Sequence, residues 1–177
     1  IMLLRRTASH IALECALQVQ PNIAIINEEV EAKNQTLDDV VTYIAEVVAA
    51  RAAKGENFGT VLIPEGLIEF IPAFKALIAE LNDYLAHHEA EFRAVPADEQ
   101  RAYVAEHLSA ANSALYASLP ATVARQLTPD RDPHGNVQVS LIETEKLLAE
   151  MVATKLAAWK EEGRFTGKFS PLTHFFG

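Results

Sequence analysis

The stretch Gly59-Thr60-Val61-Leu62-Ile63-Pro64-Glu65-Gly66 constrains this chain more than any other. Its apolar, β-preferring run is too short for a helix and ends in Pro-Glu-Gly. It therefore reads as a short buried strand closing in a turn that presents one carboxylate. In an open α/β sheet, ligands meet the carboxyl ends of the strands, which would set Glu65 in front of a small polar substrate. A plainer reading stands beside it: Glu65 caps the helix that follows, because acidic side chains favour helix starts.

The residues before this stretch supply its partners. Asn22-Ile23-Ala24-Ile25-Ile26 reads as a second short strand, leading into Asn27-Glu28-Glu29. Leu37, Val40, Val41, Ile44, Val47 and Val48 recur at helical spacing between the two strands. Thr36 and Asp39 have the spacing of a reciprocal cap, and Gly55 stands just past the end of that helix. Strand, helix, strand, with both strands apolar, is a parallel crossover. Further upstream, Ala8, Ile11, Ala12, Cys15, Ala16 and Val19 share one helical face of mainly small side chains. Such a face is expected to pack close to a sheet, with Pro21 ending the helix.

Beyond Glu65 the pattern turns helical. Pro72 suits the first turn of a helix whose apolar face is Phe74, Leu77, Ile78, Leu81 and Leu85. An Ala-rich helical region runs from about 89 to 127, with Pro96 and Pro120 as helix starts. Tyr103, Val104, Leu108, Leu115, Tyr116 and Leu119 are its expected apolar contacts. The segment from Thr128 to Asn136 has the composition of an exposed loop. Ser140 to Glu143 is expected to open a long, capped helix with Leu148, Met151, Val152, Leu156 and Trp159 as its stripe and Gly163 at its end. Lys168 to Phe176 returns to strand-like residues.

Composition excludes several functions. The 177 residues carry a formal net charge of −9 with no run of Lys and Arg, which argues against a nucleic-acid or acidic-membrane surface. No apolar stretch approaches the length of a membrane span, and the start does not resemble a signal peptide. Cys15 is the single cysteine, so no internal disulfide exists and a reducing, cytoplasmic setting is the simplest expectation. The apolar ends, Ile1-Met2-Leu3-Leu4 and His174-Phe175-Phe176-Gly177, read as strand edges cut from a larger protein.

Isolated residues carry little chemistry. His87-His88-Glu89 comes nearest to a metal motif, but adjacent helical side chains point apart. Cys15, on an apolar helical face, reads as core rather than nucleophile, and Ser9-His10 on a helix does not build a dyad. No glycine-rich phosphate loop is present. Arg5-Arg6 at a helix start opposes the helix dipole, which leaves two readings: a held anion, or two solvated cations.

Taken together, the residues resemble a known family. Ala8-Ser9-His10-Ile11-Ala12-Leu13-Glu14-Cys15-Ala16-Leu17-Gln18 followed by Pro21-Asn22 resembles the helix after the Met-Gly-Arg motif of pyrophosphate-dependent phosphofructokinases. Ile25-Ile26-Asn27-Glu28-Glu29-Val30, Leu62-Ile63-Pro64-Glu65-Gly66-Leu67-Ile68, Ile142-Glu143-Thr144-Glu145-Lys146-Leu147-Leu148 and Thr173-His174-Phe175-Phe176-Gly177 continue the likeness in order. The long, plant-like branch is the one resembled, because it carries a helical insertion before the His-Phe-Phe-Gly segment.

The resemblance implies an α/β parent fold, phosphofructokinase-like, of which this segment would be a mostly α part with a few short parallel strands. Residues 1–90 would be part of a sugar-phosphate-binding domain, 91–137 the helical insertion, and 138–177 a long helix with a return strand. It implies a glycolytic transferase that uses pyrophosphate and Mg²⁺ to convert fructose 6-phosphate to fructose 1,6-bisphosphate and phosphate. Glu65 matches the family glutamate that bonds sugar hydroxyls, and Leu4, Arg5 and Arg6 occupy the Met-Gly-Arg position. Arg6 would offset charge on the transferring phosphoryl group, whereas Leu4 and Arg5 depart from the motif. By the same resemblance the diphosphate site, the catalytic aspartate and the Mg²⁺ ligands lie outside this chain, so the isolated segment is expected to be inactive. Two alternatives remain: a regulatory subunit of the same family, or a helical interaction scaffold. A homo- or hetero-oligomer is the expected assembly.

Overall fold

The computed structural model describes residues 2–3, 9–64, 66–128, 142–173 and 175–176, with the backbone alone given for the first and last pairs. It divides into two compact units, Ile1–Ile71 with Thr144–Gly177, and Pro72–Glu143.

The first unit is built on a small parallel sheet in the order β2-β3-β1-β4. Its strands are β1 (Met2–Leu3), β2 (Ile23–Ala24), β3 (Val61–Pro64) and β4 (Phe175–Phe176). Every pairing is parallel, with Ile23 opposite Val61, Met2 opposite Ile63 and Met2 opposite Phe175. Between β2 and β3 run α2 (Asn27–Ala32) and α3 (Leu37–Ala53), the crossover expected from the alternating pattern. The β2 ladder is shorter than the apolar run, although Ile25 N–H still donates to Leu62 O at 2.9 Å.

Helix α3 starts where the sequence signals it. Thr36 Oγ1 accepts from Asp39 N–H, and Asp39 returns the bond to Thr36 N–H at 2.8 Å. Val40, Val41, Ile44 and Ala45 are its buried face, and α3 packs on α9 (Thr144–Glu161), which buries Leu148, Val152 and Leu156. Each such aliphatic side chain stabilises by roughly 1.5–3 kcal/mol on full burial. At the solvent edge of this contact, Lys155 Nζ donates to Asp38 Oδ1 at 2.7 Å. Helix α9 ends as expected, with Gly163 at φ 73°, a left-handed conformation that costs glycine nothing sterically. Arg164 N–H then donates to Trp159 O at 2.8 Å, and its guanidinium carbon lies 4.2 Å from the Trp159 ring centre.

Three expectations for this unit are corrected. Helix α1 (His10–Val19) buries only Ala12 fully; Ile11, Cys15 and Ala16 are half-buried and Val19 is 63% exposed. A face of small side chains contacts the sheet over a narrow strip, and Val19 is the last helical residue before Gln20 turns left-handed at φ 47°. The residues from Lys168 to Thr173 form no strand, and only Phe175–Phe176 pair. Pro171, in the middle of that run, has no N–H to give a ladder. Helix α9 begins at Thr144, after Ile142 and Glu143; Ser140 lies outside the described residues.

The second unit is all helix: α4 (Pro72–His87), α5 (Glu89–Ala94), α6 (Gln100–His107), α7 (Ala110–Ser118) and α8 (Ala121–Gln126). Phe74, Leu77, Leu81 and Leu85 of α4 are buried, with α7 among its neighbours. That packing places α4 in the helical unit, Pro72–Glu143. Pro96 opens a turn, with Glu99 N–H and Gln100 N–H donating to its carbonyl, and α6 proper follows with its N-cap at Glu99. Pro120, by contrast, caps α8 as expected. Of the expected loop, Thr128 is buried and residues 129–136 lie outside the described part.

The start of α7 is capped from a distance. Glu80 of α4 accepts from Ser109 N–H at 2.7 Å and Ser109 Oγ at 2.8 Å, and also from Asn112 Nδ2. A carboxylate at a helix N-terminus satisfies orphan donors and complements the dipole.

Candidate functional site

Because all four strands are parallel, their carboxyl ends lie along one edge of the sheet, where ligands of open α/β sheets are met. Leu3 and Pro64 are Cα partners at that edge, as are Leu3 and Phe176. In sequence, Leu4-Arg5-Arg6 follows directly on Leu3, and Glu65 follows directly on Pro64. These four residues lie outside the described part of the structure, whereas the strands that lead to them are adjacent and in register.

Among the described residues beyond the strand ends are Ser9, Asn27 and Glu28. Ser9 precedes α1, and Asn27 and Glu28 open α2 just beyond β2. The Ser9 hydroxyl does not cap its own helix; it accepts from Asn27 N–H at 2.8 Å. In return, Ser9 N–H donates to Glu28 Oε1 at 2.9 Å. The Ser9 N–H holds the Glu28 carboxyl below the usual carboxylate range against the opposing effect of burial, so it is ionised at neutral pH. Asn27 is 0% exposed, and among the described residues its side-chain Nδ2 and Oδ1 have no hydrogen-bond partner.

The sequence does not bring this trio together: Ser9 reads as a neighbour of His10 and part of a family motif, and Asn27-Glu28 as the segment after the second strand and part of another. The available signal was positional: a polar run directly after an apolar strand, as Glu65 follows β3.

A cavity of about 510 Å³ lies at the opposite, amino-terminal edge of β2 and β3. Asn22, Gly59 and Thr60 line it from the strand starts, Arg51 from α3 and Glu145 from α9. Arg51 is held by Glu56 at 2.8 Å and by Phe58 O at 3.1 Å, and its buried Nε has no partner among the described residues. Glu145 Oε2 is likewise buried and without a partner among the described residues. Its place at the strand starts separates this cavity from the edge where Leu4 and Glu65 follow.

The other candidates carry no site chemistry. His87 and His88 each set Nδ1 against a backbone carbonyl one turn earlier, at 2.7 and 2.9 Å, and His88 stacks on Tyr84. Among the described residues, no group of three or more His, Cys, Asp or Glu could hold a metal ion. Cys15 is half-buried and free. No described helix is long and apolar enough to cross a membrane.

No protein-family model matches the chain. Curated relatives do. A pyrophosphate–fructose 6-phosphate 1-phosphotransferase of Porphyromonas gingivalis is 67% identical over all of this chain, which covers 32% of that protein. The protein of the same name from Treponema pallidum is 53% identical over the whole chain, which covers 31% of it. A relative from Ricinus communis named as the beta subunit is 48% identical, again over the whole chain and 31% of its own length. Over its whole length, the chain is homologous to pyrophosphate–fructose 6-phosphate 1-phosphotransferases. It spans about a third of the length of these phosphotransferases. A Solanum tuberosum relative carries the subunit alpha name at 41% identity, so the likeness extends to both kinds of phosphotransferase subunit.

Proposed function

We propose that this chain is part of an enzyme that transfers a phosphoryl group from pyrophosphate to fructose 6-phosphate, giving fructose 1,6-bisphosphate and phosphate. The end-to-end identity of 67% to a phosphotransferase of that name is the observation that carries the reading. The parallel sheet supports an α/β parent fold of phosphofructokinase type. The in-register pairing of Leu3 with Pro64 supports a shared substrate edge, because the two motif segments leave neighbouring strands at the same end.

On this reading Glu65 accepts hydroxyl hydrogen bonds from the sugar, which rejects sugars that misplace those groups. Arg6 offsets the charge on the oxygens of the phosphoryl group in transfer, with Leu4 and Arg5 beside it. Mg²⁺, in such phosphoryl transfer, neutralises phosphate charge; its ligands would come from the remainder of the enzyme. The alpha and beta names of the plant relatives support an oligomeric assembly.

A second reading, a regulatory subunit of the same family, is favoured by one observation: Leu4 and Arg5 stand where the motif has Met and Gly. An arginine there cannot reproduce a glycine that lets substrate approach the backbone.

An aldolase-coupled assay with pyrophosphate, fructose 6-phosphate and Mg²⁺ tests both readings. The full-length protein is expected to turn over and residues 1–177 alone are not. A full-length protein that binds fructose 6-phosphate without turnover would select the regulatory reading. Turnover by the 177-residue chain would overturn the division of the site.

A further inference from the structure

Glu145, in the first turn of α9, lines the cavity at the amino-terminal edge of β2 and β3 and is only 7% exposed. Its Oε2 finds no donor among the described residues. A carboxylate is an acceptor only, and one buried without a donor carries an uncompensated desolvation cost. Two cationic side chains among the described residues line the same cavity, and neither supplies that donor. Arg51 is turned to Glu56 and to the Phe58 carbonyl, and Lys168 lies at the exposed surface. Asn22 Oδ1, at the strand start, already accepts from Thr60 N–H at 2.8 Å.

The deeper wall is apolar. Ile44, Leu148, Val152 and Phe165 line it from α3, α9 and the segment after α9, and all four are buried. Water fills such a space poorly, because each molecule needs about two to four polar partners. The volume of about 510 Å³ falls within the roughly 300–1,000 Å³ of small-molecule sites, which combine apolar walls with a few placed polar groups. The described lining residues all belong to the first unit.

We propose that this cavity binds a small organic cation: an apolar body held between α3 and α9, with an ammonium head that donates to the Glu145 carboxylate. The charge of a carboxylate is shared by both oxygens, so one cation beside it compensates the whole buried group. An ammonium makes charge-assisted hydrogen bonds, the stronger kind, and brings no acceptor for the wall to satisfy. The same carboxylate repels an anion, and a wholly apolar molecule would leave it unpaired. The site lies at the opposite end of the strands from the edge where Leu4 and Glu65 follow, and it stands independently of the phosphotransferase reading.

Calorimetry on the full-length protein tests this, with 2-phenylethylammonium as the probe and 2-phenylethanol as its uncharged counterpart of similar shape. The ammonium is expected to bind saturably with a Kd on the order of 1 mM or tighter, and the alcohol at least about tenfold more weakly. Glu145→Gln removes the charge at nearly constant shape and should bring the two probes to within about twofold of each other. Ala149→Phe sets a ring into the cavity from a half-buried lining position and should weaken both probes about tenfold or more. It decides the matter if Glu145→Gln fails to fold. No saturable heat from the ammonium, equal binding of both probes by the wild type, an undiminished preference in Glu145→Gln or undiminished binding in Ala149→Phe would each overturn the site.

Discussion

Leu3 and Pro64 stand opposite each other on adjacent parallel strands, each the last paired residue before a segment that the motifs assign to substrate. Glu65, next after Pro64, is therefore expected to act on sugar binding. Glu65→Gln in the full-length protein should raise the KM for fructose 6-phosphate on the order of tenfold, the value of weakening a charged hydrogen bond by about 1.5 kcal/mol. The KM for pyrophosphate should not move. Equal changes in both, together with a lower melting temperature, would assign Glu65 to capping the following helix.

Among the described residues the buried amide of Asn27 makes no hydrogen bond, and a buried amide left so carries a desolvation cost without return. Asn27→Leu, similar in volume, is expected to raise the free energy of unfolding by about 1 kcal/mol. Its backbone N–H bond to Ser9 Oγ survives the change. Urea unfolding checks this; a lower midpoint would mean that the amide has a partner in the folded protein.

Glu80 caps α7 from α4, and replacing it with Ala should cost the helical unit about 1 kcal/mol, as loss of a cap does. Partial burial raises its pKa, but the bonds from Asn112 and Ser109 prevail and lower it overall. Its contribution is therefore complete above the ordinary carboxylate range and is lost as pH falls through the lowered value. Urea midpoints measured between neutral and acidic pH should fall less steeply in Glu80→Gln than in the wild type. Identical slopes would show that the carboxylate is not the cap.

The reciprocal bonds of Thr36 and Asp39 satisfy two donors at the start of α3. Thr36→Ala is expected to cost about 1 kcal/mol, and Thr36→Ser much less, because serine keeps the hydroxyl. Hydrogen exchange at the Asp39 amide reads the same bond directly and should accelerate only in the alanine variant.

Helices α3, α4 and α9 were legible because their apolar residues recur at the helical period and their ends carry explicit signals at Thr36, Pro72 and Gly163. The parallel crossover followed from two apolar runs flanking α3. Helix α1 packs on β2 and β3 as its small-residue face implies, but at its last turn Val19 is 63% exposed, because a stripe of small residues says nothing about how wide its partner is. The run after Lys168 looked extended by composition, yet Pro171 withholds an N–H from any ladder. The register of Leu3 against Pro64 joins positions about sixty residues apart, and no local pattern encodes it. The Ser9 bonds to Asn27 and Glu28 are equally silent, since they link one hydroxyl, one carboxylate and two backbone amides without periodicity. Glu65 stands out by its place after a strand and Arg5-Arg6 by their place at a helix start, whereas Leu4 enters only through the family motif; all four lie outside the described residues.

The helical unit is one uninterrupted run, Pro72–Glu143, whereas the other unit needs Ile1–Ile71 to meet Thr144–Gly177. The Lys155–Asp38 bond alone spans 117 residues. On the ribosome, then, the later-made helices close on themselves while the earlier segment waits for α9 to emerge. Until it does, Val40, Val41 and Ile44 stay open to solvent on the nascent chain. That interval is when a chaperone would find this protein.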